Sequence, residues 1–165
     1  MSNSVVYLVG FMGAGKSAVG ESLAEMLRWP FVDLDREIEK RAAMTIPEIF
    51  RYCGEARFRN LETEELKRVS GLTDAVVALG GGAFCSVENR EIVARTGVSV
   101  WLDAPLELLF ERCCAEAAAR PLFTTREEMA GLLEHRRPFY AESALHVMVA
   151  GRSADEIARE ICSLV

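Results

Sequence analysis

Three features of the amino-acid order point to an α/β protein, a five-stranded parallel sheet between two layers of helices. Short apolar runs alternate with longer segments of helical spacing along the whole chain, the order expected of a parallel sheet covered on both faces. The first run, Val5-Val6-Tyr7-Leu8-Val9, stops at Gly10-Phe11-Met12-Gly13-Ala14-Gly15-Lys16-Ser17, a complete G-x-x-x-x-G-K-S phosphate-binding loop, and a helical pattern follows at once. The length, 165 residues, suits one domain that removes roughly two-thirds of its unfolded surface from water.

Taken in order, strands are expected near residues 5–9, 31–33, 75–79, 97–102 and 146–149. Helices are expected near 16–28, 36–43, 47–70, 87–95, 105–118, 126–141 and 154–163. The first helix follows from the apolar spacing in Ala18 to Leu27. Thr45-Ile46-Pro47-Glu48, Thr125-Arg126-Glu127-Glu128 and Ser153-Ala154-Asp155-Glu156 each fit a capping box, a hydroxyl residue with Glu three places on. Pro105 suits the first turn of its helix. Two segments read as insertions into the core, about 34–61 and about 116–125, and specificity is expected to reside there.

Composition bounds the function. The chain is 50% hydrophobic and 27% charged, ordinary for a soluble domain, and has no apolar run of membrane-spanning length. Met1-Ser2-Asn3-Ser4 carries no basic region, so no secretory signal is expected. A net charge of −6 argues against a general nucleic-acid binder, which needs a basic face, so an anionic ligand must meet local cations. Cys53, Cys85, Cys113, Cys114 and Cys162 show no C-x-x-C spacing and are expected to be reduced, mostly buried thiols of a cytoplasmic protein. His135 and His146 are expected to be structural or surface residues.

The loop residues point to polyphosphate chemistry. Its glycines allow successive N–H groups to turn inward, and the helix N-terminus that follows favours negative charge. Lys16 would reach the β- and γ-phosphates and Ser17 would give an oxygen to Mg²⁺. Phe31-Val32-Asp33-Leu34-Asp35 puts two carboxylates beyond the carboxyl end of a strand, on one face if the segment is extended. One would hold a water on magnesium while the other meets a substrate hydroxyl. The third strand ends without an acidic residue, which moves the magnesium duty towards Asp33. It runs instead into Gly80-Gly81-Gly82, where a backbone approach to a ligand competes with a plain flexible turn.

Cations complete the set. Arg59 and Glu62 are i,i+3 neighbours on a helix, so the acid can hold a guanidinium suited to clamping a carboxylate; Phe50 and Phe58 beside them read as core. Arg120-Pro121-Leu122-Phe123 falls between two helices and Arg136-Arg137-Pro138-Phe139-Tyr140 closes the next one. An arginine on such a connecting segment suits closure over transferring phosphate.

In combination and in this order the motifs resemble the shikimate kinase family: G-x-x-G-x-G-K-S at Gly10–Ser17, D-x-D at Asp33 and Asp35, I-x-x-I-F-x-x-x-G-E-x-x-F-R-x-x-E from Ile46 to Glu62, G-G-G at Gly80–Gly82, R-P-L at Arg120–Leu122 and R-x-P-x-Y at Arg136–Tyr140. Val100-Trp101-Leu102-Asp103-Ala104-Pro105 looks like the family's fourth strand and exit. The resemblance spans nearly the whole chain. It implies a P-loop NTPase fold of the nucleoside monophosphate kinase kind, a monomer, and transfer of the ATP γ-phosphate to the 3-hydroxyl of shikimate in aromatic amino-acid biosynthesis. By position it assigns ring-hydroxyl binding and help with the proton to Asp35, and water-mediated magnesium binding to Asp33. Carboxylate clamping goes to Arg59 and Arg136, and a backbone N–H to a ring hydroxyl comes from Gly81 in a loop shaped by Gly80 and Gly82. Nucleotide contacts go to Gly13, Ala14, Gly15, Lys16, Ser17 and Ala18, the lid role to Arg120, and the flanks of adenine to Arg112 and the stretch around Ser153.

Other readings keep part of this set. Another small phosphate-loop kinase, for gluconate or a nucleoside monophosphate, needs Lys16 and Ser17 but not the remaining motifs together. A GTP-dependent switch normally carries N-K-x-D, whereas Asn3, Asn60 and Asn89 are followed by Ser, Leu and Arg. A catalytically dead nucleotide-binding relative would be expected to have lost positions that are all intact here.

Overall fold

The computed structural model describes residues 4–116 and 125–165. Five strands, β1 (Val5–Val9), β2 (Phe31–Asp33), β3 (Ala75–Ala78), β4 (Gly97–Asp103) and β5 (Leu145–Met148), form one sheet in the order β2-β3-β1-β4-β5, with every pairing parallel. Around it lie α1 (Lys16–Leu27), α2 (Leu34–Ala42), α3 (Ile46–Cys53), α4 (Glu55–Val69), α5 (Val87–Thr96), α6 (Leu106–Ala115), α7 (Arg126–Tyr140) and α8 (Ala154–Leu164). This is the three-layer α/β/α architecture that the alternating runs predict. β1 and β3 are buried along their whole length, as a sheet covered on both faces requires.

The chain passes from one side of β1 to the other after β3, so a crevice opens beyond the carboxyl end of β1. The phosphate loop begins there. Close packing fixes its neighbours: a Cβ on Gly20 would stand 2.3 Å from the Phe31 ring, so the glycine inside α1 is what lets β2 lie against that helix. Across the sheet, a Cβ on Gly97 would stand 1.9 Å from the Val5 carbonyl oxygen.

Three elements differ from expectation. The single helix expected over 47–70 is two, broken at Gly54, whose φ of 84° and ψ of 165° close α3 and open α4. That left-handed φ belongs to glycine, and it interrupts the helix. Next, α2 begins at Leu34 with Asp33 as its N-cap, so Asp33 and Asp35 do not share the face of an extended strand; Asp35 occupies the first helical turn. Asp33 accepts the Arg36 N–H at 3.3 Å, which outweighs continuation of the strand. Finally, Pro105 is an N-cap rather than a first-turn residue. A 3₁₀ turn, Ala83–Cys85, follows the glycine triplet.

The capping boxes at Thr45 and Ser153 are both complete, and Thr125 accepts the Glu128 N–H at 3.1 Å. All five cysteines are free, but only Cys113 is buried, whereas Cys53 and Cys114 are exposed. Cys114 follows Cys113 on α6 and so falls about 100° round the helix, away from the core. His146 bonds Asp103 at 2.8 Å and stacks on Trp101, a structural role as expected. Among the described residues no helix is long and apolar enough to cross a membrane.

Candidate active site

The phosphate loop owes its shape to glycines in conformations that side chains rarely adopt, Gly13 at φ 83° and Gly15 at φ 93°, the latter serving as the N-cap of α1. α6 supports it from behind. The Arg112 guanidinium donates to the Gly13 carbonyl at 3.0 Å and the Cys113 thiol approaches the Met12 carbonyl at 3.6 Å. The Lys16 ammonium turns back onto the Gly10 and Phe11 carbonyls at 2.5 and 3.1 Å, so its charge stands at the mouth of the loop.

Ser17, the second residue of α1, donates its hydroxyl to the Asp33 carboxylate at 3.0 Å. Two hard oxygen ligands thus meet beside the loop, the donor chemistry that magnesium takes when phosphates and water fill its remaining positions. Among the described residues no group of three or more His, Cys, Asp or Glu side chains forms a cage for a metal ion.

A cavity of about 740 Å³ joins these parts: Gly13, Ala14, Gly15, Lys16, Ser17 and Ala18 line it together with Asp33, Asp35, Gly81 and Arg112. Arg152 and Ala154 line it too, which brings the stretch around Ser153 to the same space, although Ser153 itself spends its hydroxyl on the α8 cap. A second cavity, about 480 Å³, is lined by Gly82, Arg59, Glu62 and Arg136. Consecutive glycines, Gly81 and Gly82, therefore line one cavity each.

The triplet has a reason beyond ligand access. A Cβ on Gly80 would stand 2.7 Å from Asp35 Oδ1, one on Gly81 would stand 3.1 Å from Arg136 Nη1, and one on Gly82 would stand 2.6 Å from Arg59 Nη1. Each glycine makes room for one functional side chain. None of the three has positive φ, so the requirement is space rather than backbone freedom.

Arg59 bonds Glu62 at 2.9 Å, the expected i,i+3 pair, and the Phe58 ring lies beneath its guanidinium at 5.1 Å. Glu62 is 1% exposed, and its Oε2, like Arg136 Nη1, is buried without a hydrogen-bond partner among the described residues. Such atoms are costly to bury alone, and a polar ligand would satisfy them. Burial pushes the Glu62 carboxyl up to about 7, against the pull of Arg59 and with a smaller push from Asp35. Tyr140, fully buried at the end of α7, donates to the Gly81 carbonyl, a contact the R-x-P-x-Y spacing did not reveal. Phe58 is core and Phe50 packs against it, as expected. Arg120 lies outside the described residues.

A family model described as shikimate kinase matches residues 12–165. The chain belongs to the shikimate kinase family. A shikimate kinase of Persephonella marina is 43% identical over 156 residues, covering 94% of this chain and 95% of that protein. One of Brucella canis is 39% identical over 168 residues, covering 100% and 84%. The solved structure of Acinetobacter baumannii shikimate kinase in complex with shikimate superposes with a TM-score of 0.93 at 38% identity, covering 98% of this chain and 92% of that one. A gluconokinase from Sinorhizobium meliloti, at 21% identity and a TM-score of 0.58, shares the fold. The activity of the shikimate kinase family is phosphoryl transfer from ATP to a hydroxyl of shikimate, a step of the shikimate pathway, and the chain is an enzyme of that kind.

Proposed function

We propose that the chain transfers the γ-phosphate of ATP to the 3-hydroxyl of shikimate, with the reacting groups meeting in the 740 Å³ cavity. The observation that carries this reading is that Lys16 and Asp35 line one cavity while the arginine clamp stands across a single peptide link, between Gly81 and Gly82. Loop N–H groups from Gly13 to Ala18 cradle the phosphates. Lys16 leaves the Gly10 and Phe11 carbonyls for the β- and γ-phosphates. Ser17 and Asp33 would hold Mg²⁺, and the bound ion would neutralise charge on the phosphates.

Asp35 orients the acceptor hydroxyl and takes its proton. Arg59 and Arg136 bind the carboxylate at the other end of the ring, which fixes the hydroxyl that faces the phosphate, and Gly81 gives a backbone N–H to a ring hydroxyl. Positioning and charge neutralisation are what phosphoryl transfer needs. The first insertion, residues 34–61, thereby forms the acceptor side. Arg112 and the stretch around Ser153 flank adenine. The lid role of Arg120, within the second insertion at 116–125, rests on its motif. A cytoplasmic monomer is the setting that fits this reading.

The test is ADP release from ATP and Mg²⁺ in a coupled assay with shikimate, gluconate, AMP and no acceptor in parallel. ADP formation that requires shikimate supports the reading. Turnover with another acceptor would overturn the acceptor assignments, and silence with all of them would leave a nucleotide-binding module.

A further inference from the structure

A loop made of three glycines has no side chains with which to hold itself, yet Asp35, Arg136 and Arg59 each pass within about 3 Å of where its Cβ atoms would be. Its position must be imposed from outside: the Tyr140 hydroxyl holds the Gly81 carbonyl directly, and the first turn of α5 holds the turn that follows Gly82. The Asn89 amide donates to the Ala83 carbonyl at 2.8 Å, and Arg90 donates to the Phe84 and Cys85 carbonyls at 2.8 and 2.9 Å. Two adjacent side chains thus hold three consecutive carbonyls directly behind Gly82.

Each of the two also reaches a different helix. Thr63 of α4 donates its hydroxyl to Asn89 Oδ1 at 2.9 Å, one helical turn from Arg59 and beside Glu62. Arg90 pairs with Glu142 at 2.9 Å and lies over the Phe139 ring of α7 at 5.0 Å, three residues beyond Arg136. Asn89 is 1% exposed, and a buried amide of this kind is retained where all its partners are in place.

We infer that Asn89 and Arg90 are positioning residues for acceptor binding: they lock the glycine loop to the helices that carry Arg59 and Arg136. The inference rests on the reading that those two arginines bind the acceptor carboxylate. Neither Asn89 nor Arg90 touches substrate. Removing a link therefore acts on the acceptor alone, because the phosphate loop is held separately by α6.

Thr63→Val tests the α4 link with little change in size. The expected result is a shikimate KM and Kd raised about tenfold, the order for one buried acceptor left unmade, with the ATP KM within about twofold. Thr63→Ser, which restores the hydroxyl, returns the shikimate values to near the parent's. Asn89→Asp, which keeps the acceptor but loses the donor to Ala83, gives the same pattern by a second route. Folded Thr63→Val protein with unchanged shikimate binding, equal weakening of both substrates, or failure of Thr63→Ser to rescue overturns the inference. Arg136→Ala separates it from the reading beneath it: undiminished shikimate binding in that variant would mean the clamp itself is misassigned.

Discussion

Asp35 stands in the first turn of α2, within a cavity it shares with Lys16, and its replacement by Asn keeps the shape while removing the proton acceptor. Asp35→Asn is expected to lower turnover about 10²- to 10⁴-fold while nucleotide affinity measured by titration stays within about twofold; an unchanged rate would overturn the assignment of the base. Glu62 makes a second prediction, about pH. Its carboxyl, raised to about 7 by burial, is neutral below that pH and charged above it. A negative charge beside Arg59 competes with the substrate carboxylate. The shikimate KM should therefore rise as pH increases from 6 to 8, and Glu62→Gln should flatten the profile while keeping an acceptor for Arg59.

At the scale of elements, the break at Gly54 has the largest consequence for the site. It sets α3 and α4 as separate helices, so the face of α4 bearing Arg59, Glu62 and Thr63 is oriented by its own contacts. These include Glu65, 1% exposed, which accepts Arg41 of α2 at 2.8 Å and Arg68 at 2.6 Å. The sequence shows helical spacing through both helices, and Gly54 alone does not announce whether a helix tolerates it or ends on it. By contrast the start of α3 is legible, because Thr45 and Glu48 satisfy each other's backbone locally. Thr45→Ala is expected to cost about 1 kcal/mol, readable as a lower denaturation midpoint. Acceptor binding should change with it, since Ile46 and Pro47 line the cavity.

Over the whole molecule, stability depends on how closely β1 and β4 approach. Val5 and Gly97 are register partners, and the Val5 carbonyl leaves no room for a side chain at Gly97. Because the obstacle is backbone on the central strand, it cannot move aside cheaply. Gly97→Ala is expected to destabilise the fold by about 3 kcal/mol, a midpoint lower by on the order of 10 °C, although residue 97 lies at the far end of β4 from the phosphate loop. A midpoint within about 2 °C of the parent's would show that the two strands can part.

The five strands, the phosphate loop, the Arg59–Glu62 pair and two full capping boxes are legible in the order of residues alone, because each is written in contiguous residues whose chemistry is local. The family is legible too, through the order of its motifs. The start of α2 at Leu34, the residue behind each glycine of the triplet, and the tie from Asn89 and Arg90 to two helices emerge only from the folded chain. Those outcomes depend on side chains brought together from distant segments, Asn89 lying 26 positions after Thr63 and Tyr140 59 positions after Gly81. No periodicity or spacing records such meetings, since they follow from how the layers close on the sheet.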